Sequence, residues 1–207
     1  MRHPIHDRKI RAGLLFASLC LAGALPAQAQ NGAAPDPQTA EKQQLMSYTP
    51  DLREKVKALS PQTKQMLKQV SAKHNRPSPT LTLRQVMQEV LADYQSMISG
   101  LAADNGPQAA DSARRLANHR IPRGGLLPYF GLDKVNDTGL APLQAFNDQV
   151  EGNALKLAEA AEKGDMVKAA TYVGDITTGC VACHQVFRGQ PGVSPRLLNP
   201  AGAAAAK

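Results

Sequence analysis

Asp165-Met-Val-Lys-Ala-Ala-Thr-Tyr-Val-Gly-Asp-Ile-Thr-Thr-Gly-Cys-Val-Ala-Cys-His-Gln-Val-Phe-Arg188 is the stretch on which the fold turns. Met166, Ala169, Val173, Ile176, Cys180, Cys183 and Phe187 step by three and four, the spacing of one apolar helix face packed in a bundle. Lys163-Gly164-Asp165 ahead of it supplies a terminating glycine and then a fresh N-cap. The link is short enough to fold the helix back on its predecessor. Inside the helix, Cys180-Val181-Ala182-Cys183-His184 reads C-x-x-C-H, the signature of c-type haem attachment. The chemistry needs that spacing: two thiols add across the two vinyl groups of one haem, and the adjacent histidine reaches the iron as proximal ligand. On a helix the three residues fall at i, i+3 and i+4, on one side. A dithiol redox motif expects a βαβ setting, and strand patterns are scarce here. A closed zinc site needs four ligands, and no second Cys/His pair follows. A reduced or disulfide-bonded structural pair is the bland alternative.

Working back toward the N-terminus, Pro142 opens a helix with Leu143, Phe146, Val150, Ala154, Leu157 and Ala161 inward. Arg120 to Leu140 is irregular, rich in Pro and Gly, yet holds Leu126, Leu127, Tyr129 and Phe130, which should not all face water. A loop of this length is expected to pack over the bundle near the cofactor. A shorter helix from Gln108 to His119 turns Ala109, Ala113 and Leu116 inward. Thr82-Leu83-Arg84-Gln85 matches a capping box and opens a long helix with the seam Leu83, Met87, Val90, Tyr94, Met97 and Leu101, broken at Asn105-Gly106-Pro107. Thr49-Pro50 and Ser60-Pro61 each read as a cap followed by Pro at the first helical position. They open two short helices, either a docking arm or a cover on the bundle.

The resulting fold class is all-α, an antiparallel four-helix bundle with an N-terminal short-helix extension. Residues 1–29 read as a signal peptide, with Arg2, Arg8, Lys9 and Arg11, an apolar run from Ala12 to Pro26, and Ala27-Gln28-Ala29 as cleavage site. Residues 30–79 comprise a flexible leader and the two short helices, 80–190 the haem-binding bundle, and 191–207 a disordered tail. The chain has 207 residues and a formal net charge of +7. Cleavage after Ala29 removes four cations and one anion, leaving about +4, which makes no case for nucleic acid but allows an acidic partner surface. It also removes Cys20, so the mature chain keeps Cys180 and Cys183. No other stretch is long enough to span a membrane. Export and C-x-x-C-H support each other, because attachment needs reduced thiols to meet haem outside the cytoplasm.

Four amphipathic helices, the last ending Cys180-x-x-Cys183-His184-x-x-Phe187-Arg188, resemble the class II c-type cytochromes, the group of cytochrome c prime and its low-spin relatives. The resemblance covers roughly residues 80–190; the paired short helices and the 120–140 loop depart from the compact pattern. It implies one covalent haem c on Cys180 and Cys183, His184 as proximal axial ligand, and a side chain of the first bundle helix over the distal face. Aligning helix starts puts Met87 there. Met87 is also on the seam and early in its helix, at the end of an antiparallel bundle where His184 sits. Arg84 and Arg188 are candidate partners for the haem propionates, since a guanidinium suits planar carboxylates. His119 reads as a surface or capping residue and His74 as solvated. The expected function is single-electron transfer in the periplasm to a redox partner protein the sequence does not identify, with no catalytic residue. The alternative is a five-coordinate haem protein binding nitric oxide or carbon monoxide. A helical interaction protein without haem is the third reading. The resemblance also implies a homodimer through the first two bundle helices.

Overall fold

The computed structural model describes residues 37–188 and 194–198. The signal peptide, Cys20, the start of the leader and most of the tail lie outside the described residues. Among the described residues the chain is mostly helical, without strands. In chain order the helices are α1 (Pro37–Met46), α2 (Pro50–Ala58), α3 (Pro61–Ala72), α4 (Leu83–Ala102), α5 (Gly106–Ala117), α6 (Asp137–Leu140), α7 (Leu143–Asn147), α8 (Asn153–Glu162) and α9 (Met166–Phe187). A π-helical turn, Asp148–Gly152, joins α7 to α8 without a break. The stretch from Leu143 to Glu162 is therefore the single long helix its pattern predicts, with one wide turn inserted.

The caps explain where these elements begin. Thr82 and Gln85 form the reciprocal capping box: Thr82 Oγ1 accepts from the Gln85 N–H at 3.4 Å and Gln85 Oε1 accepts from the Thr82 N–H at 2.9 Å. Ser60 Oγ accepts from the Thr63 N–H at 3.2 Å, and Asp165 Oδ1 from the Lys168 N–H at 3.0 Å. Gly164 takes φ +76° to turn α8 into α9, the left-handed conformation that costs glycine least. Thr49 behaves differently from expectation: its hydroxyl bonds the Asp51 carboxylate rather than capping α2. Helix α1 occupies part of the expected flexible leader. It has no apolar stripe; among its described side chains Leu45 alone packs on a buried apolar cluster, and Gln44 Nε2 donates to Tyr48 Oη at 2.7 Å and to the Gly124 carbonyl at 3.0 Å.

Two apolar clusters form the core. The first joins Met97 of α4, Ala109, Ala113 and Leu116 of α5, Ala154, Leu157 and Ala161 of α8, and Ala169 and Ile176 of α9. Helix α4 packs on α5, α5 on α8 and α8 on α9, while α4 meets α9 sparsely. The small inward residues of α5 allow the close approach. At the α4–α5 turn, a β-carbon on Gly100 would lie 2.6 Å from the Ala109 backbone nitrogen. The buried side of α4 is set by Val86, Met97 and Gly100, so the seam is rotated from the one its stepping suggests. The predicted seam residues Met87, Val90, Tyr94 and Leu101 are only half-buried.

The second cluster joins Leu52 and Leu59 from α2 and its end, Leu127, Tyr129, Phe130, Val135 and Leu140 from the 120–140 segment, and Phe187 of α9. Phe130 stacks on Phe187 with centroids 4.4 Å apart. The long loop thus folds as two 3-10 turns and α6 against the end of α9, and the short helices act as a cover. Residues 194–198, inside the expected disordered tail, join this cluster as well. Leu197 is buried and pairs with Tyr48 in a bridge, and Ser194 donates to the Pro128 carbonyl. Apolar burial of Leu197 supplies what the surrounding Pro- and Ala-rich composition lacks.

Tyr48 is the keystone of this corner. Its phenol, 2% exposed, donates to the Gly124 carbonyl at 2.7 Å. Burial pushes its pKa up to about 12, against a small opposing effect of Gln44. The unfolded chain releases this proton near pH 10, so the folded state loses stability as pH rises from about 10 to 12, by at most about 3 kcal/mol. In urea titrations the stability difference between the natural protein and Tyr48→Phe is expected to be constant below pH 9 and to shift in favour of the variant above pH 10. A difference that stays constant to pH 11.5 contradicts the burial of an un-ionised phenol.

Candidate functional site

The far end of α9 presents the C-x-x-C-H group. Gly179, Ile176 and Phe187 are buried, Cys180 and Cys183 half-buried, and His184 exposed. Both thiols are unpaired. Cys180 packs on the first apolar cluster and Cys183 on the second, so the pair straddles the junction between the bundle-like core and its cover. Gly179 is required by proximity: a β-carbon there would fall 2.7 Å from Val150 Cγ2 and 3.1 Å from Gln149 Cγ on the π turn. A hollow of about 280 Å³ lies beside the group, lined by Thr177, Thr178, Val181, Ala182 and Gln185.

Burial sets the ionisation of the site. It raises the Cys180 thiol and pushes Cys183 up to about 11, with the neighbouring thiol adding to the latter. Dithiol redox catalysts work through lowered thiols, so this environment does not suit a thiolate redox couple. Burial and then the Arg188 charge lower His184, which favours the neutral imidazole a metal ion requires.

The other predicted residues divide. Met87 is half-buried and, among the described residues, belongs to neither apolar cluster, whereas Met97 is fully buried in the first. Met97 is core; Met87 is a thioether without a packing role in either cluster. Arg84 is exposed on the first turn of α4, and Arg188 is exposed at the end of α9, where its N–H bonds the His184 carbonyl at 3.1 Å.

Two histidines differ from expectation. His74 is not solvated: its side chain is 5% exposed and its Nε2 lies 3.0 Å from Glu151 Oε1. His119 does not cap α5 but turns its Nε2 to the same oxygen at 3.6 Å. Glu151 sits on the π turn and is buried. Burial pulls His74 down, but contact with Glu151 and its charge outweigh this and hold His74 above its ordinary value. Burial pushes Glu151 up, and the nearness of the His119 and His74 rings outweighs it, leaving the carboxyl below the usual range. Sequence reasoning missed this group because its members come from three separate segments. The one legible signal was Glu151 itself, a carboxylate beside the inward-facing Val150.

No family model, curated protein or solved structure matches the chain. Among the described residues, no helix is long and apolar enough to cross a membrane.

Proposed function

We propose that the chain is an exported, periplasmic c-type cytochrome that carries one haem on Cys180 and Cys183, uses His184 and Met87 as axial ligands, and transfers single electrons to a partner protein. A haem held there supplies a one-electron iron couple; the chain's part is to anchor it, fix its axial donors and shield it. The proposed frame is an antiparallel four-helix bundle of α4, α5, the α7–α8 helix and α9. Cross-helix contacts support it. Gln108, Arg115 and Arg120 meet Ser96, Asp93 and Glu89 in turn. Gly106 approaches Ala161 while His119 approaches Glu151. Gly179 approaches Val150 across the short turn at Gly164.

One observation carries the ligand assignment. Tyr94 Oη and Thr177 Oγ1 are hydrogen-bonded at 2.7 Å, which sets the register of α4 against α9. His184 lies seven residues after Thr177 and Met87 seven before Tyr94. In helices of opposite sense both steps run the same way, about 10 Å along the axis, and two turns return each side chain to its starting flank. In the proposed bundle this puts His184 and Met87 at one level, beside the seam where α4 and α9 meet sparsely, which supports the ligand pair. Two half-buried thiols beside that seam complete a donor set that fits haem c.

Intact-mass measurement of protein recovered from the periplasm tests anchoring and export together. The expected species starts at Gln30 and is heavier than the polypeptide by one haem. A species of bare polypeptide mass overturns the anchoring, and one retaining residues 1–29 overturns the cleavage.

A further inference from the structure

We propose that His74 Nε2, His119 Nε2 and the Glu151 carboxylate form a mononuclear site for a divalent cation of the zinc type, separate from the haem group and independent of it. The three donor groups lie within 4.8 Å of one another, and the rings are 4.5 Å apart between centroids. Zinc bonds of about 2.0–2.1 Å place tetrahedral donors roughly 3.4 Å apart, so small side-chain adjustments close the site.

The proton inventory points to a ligand. His74 Nδ1 faces the Val70 carbonyl at 3.2 Å and His119 Nδ1 faces the Arg120 carbonyl at 2.8 Å. A carbonyl only accepts, so both Nδ1 atoms carry hydrogen, and in neutral rings both Nε2 lone pairs point at Glu151. Carbonyls behind metal-binding imidazoles fix the ring and its tautomer in this way. Glu151 is 5% exposed, yet its Oε2 has no hydrogen-bond partner, and His74 Nε2, although near Oε1, also lacks one. An unmatched buried carboxylate oxygen is costly, and a cation held by the trio would satisfy it. Two imidazoles and one carboxylate are a donor set that zinc accepts with a fourth position left to water.

The backbone around the trio is built to hold it. The Asn75 N–H donates to Asn118 Oδ1 at 3.3 Å, Asn118 Nδ2 returns to Asn75 Oδ1 at 2.9 Å, and Pro77 pairs with Ile121 in a parallel bridge. These links tie the segment after α3 to the segment after α5, within one to three residues of each histidine. Glu151 comes from the π turn, a device that re-aims side chains and recurs at functional sites. Flanking charges are already matched: Lys73 with Asp148 at 3.4 Å and Arg120 with Glu89 at 3.2 Å. A bound cation would therefore clamp the N-terminal helices to the core.

The test is zinc titration by calorimetry of EDTA-stripped full-length protein, repeated in the Cys180→Ala/Cys183→Ala variant so that no thiol competes. Metal analysis after gel filtration gives the stoichiometry. One zinc per chain is expected in both proteins, with affinity falling by about 100-fold or more in His119→Ala and Glu151→Gln, beyond the loss a supporting residue causes. Cobalt in place of zinc is expected to give visible bands that His74→Ala abolishes. Absence of saturable zinc binding in the unmodified trio overturns the proposal whatever the variants do. So does binding that all three substitutions leave unchanged.

Discussion

Periplasmic protein with both Cys180 and Cys183 replaced by alanine is expected to retain no haem after denaturation, where the natural chain retains one. In the proposed attachment two thioether bonds are the whole of the covalent link, and both thiols come from one turn of α9. Each single replacement leaves one bond, so it should keep denaturation-resistant haem at lower yield and with a shifted pyridine haemochrome band. The pair is only half-buried, so truncating each thiol to a methyl group costs less than the roughly 2–5 kcal/mol of a large buried side chain, and the α-helical circular dichroism of the double variant should persist. Haem that survives denaturation in the double variant would falsify the anchoring; loss of both haem and helix would show that the thiols are structural instead.

Met87→Ala is expected to change the coordination of the iron while leaving the fold in place. A thioether in the sixth position keeps the iron low-spin and favours its reduced state. Without it the distal side is open, the reduced spectrum becomes high-spin, carbon monoxide binds saturably, and the reduction potential falls. Because Met87 is half-buried and outside both apolar clusters, its truncation should cost about 1–2 kcal/mol, below the usual range for a buried methionine. Met97→Ala is the control: Met97 is fully buried in the first cluster, so that variant should lose roughly 2–5 kcal/mol of stability and leave the iron spectrum unchanged. A Met87→Ala protein whose spectrum matches the natural one removes Met87 from the iron.

These two expectations come from different depths of reading. The caps at Ser60, Thr82 and Asp165 and the turn at Gly164 were legible because each is a local hydrogen-bond or φ requirement met by residues a few positions apart. The inward faces of α5 and α8 were legible because Ala and Leu recur at helical spacing. The buried side of α4 was harder. Leu83, Met87 and Tyr94 satisfy the stepping as well as the buried Val86 does, so the stepping alone does not choose between them. Helix α1 and residues 194–198 carry no periodic signal, since what holds them is Tyr48 and Leu197 meeting from opposite ends of the chain. The His74–His119–Glu151 group was illegible for the same reason: two connecting segments and a π turn bring it together, and a π turn leaves no repeat in the sequence. The C-x-x-C-H motif was the most legible feature because its whole pattern lies in five consecutive residues.

The optical spectrum of the periplasmic protein, reduced and then exposed to carbon monoxide, tests the central claim most directly. His184 and Met87 on one covalent haem predict a low-spin reduced spectrum that carbon monoxide does not alter. A high-spin spectrum that shifts with the gas would contradict the Met87 ligand and assign the protein to gas binding, and a protein without haem absorption would contradict the account altogether.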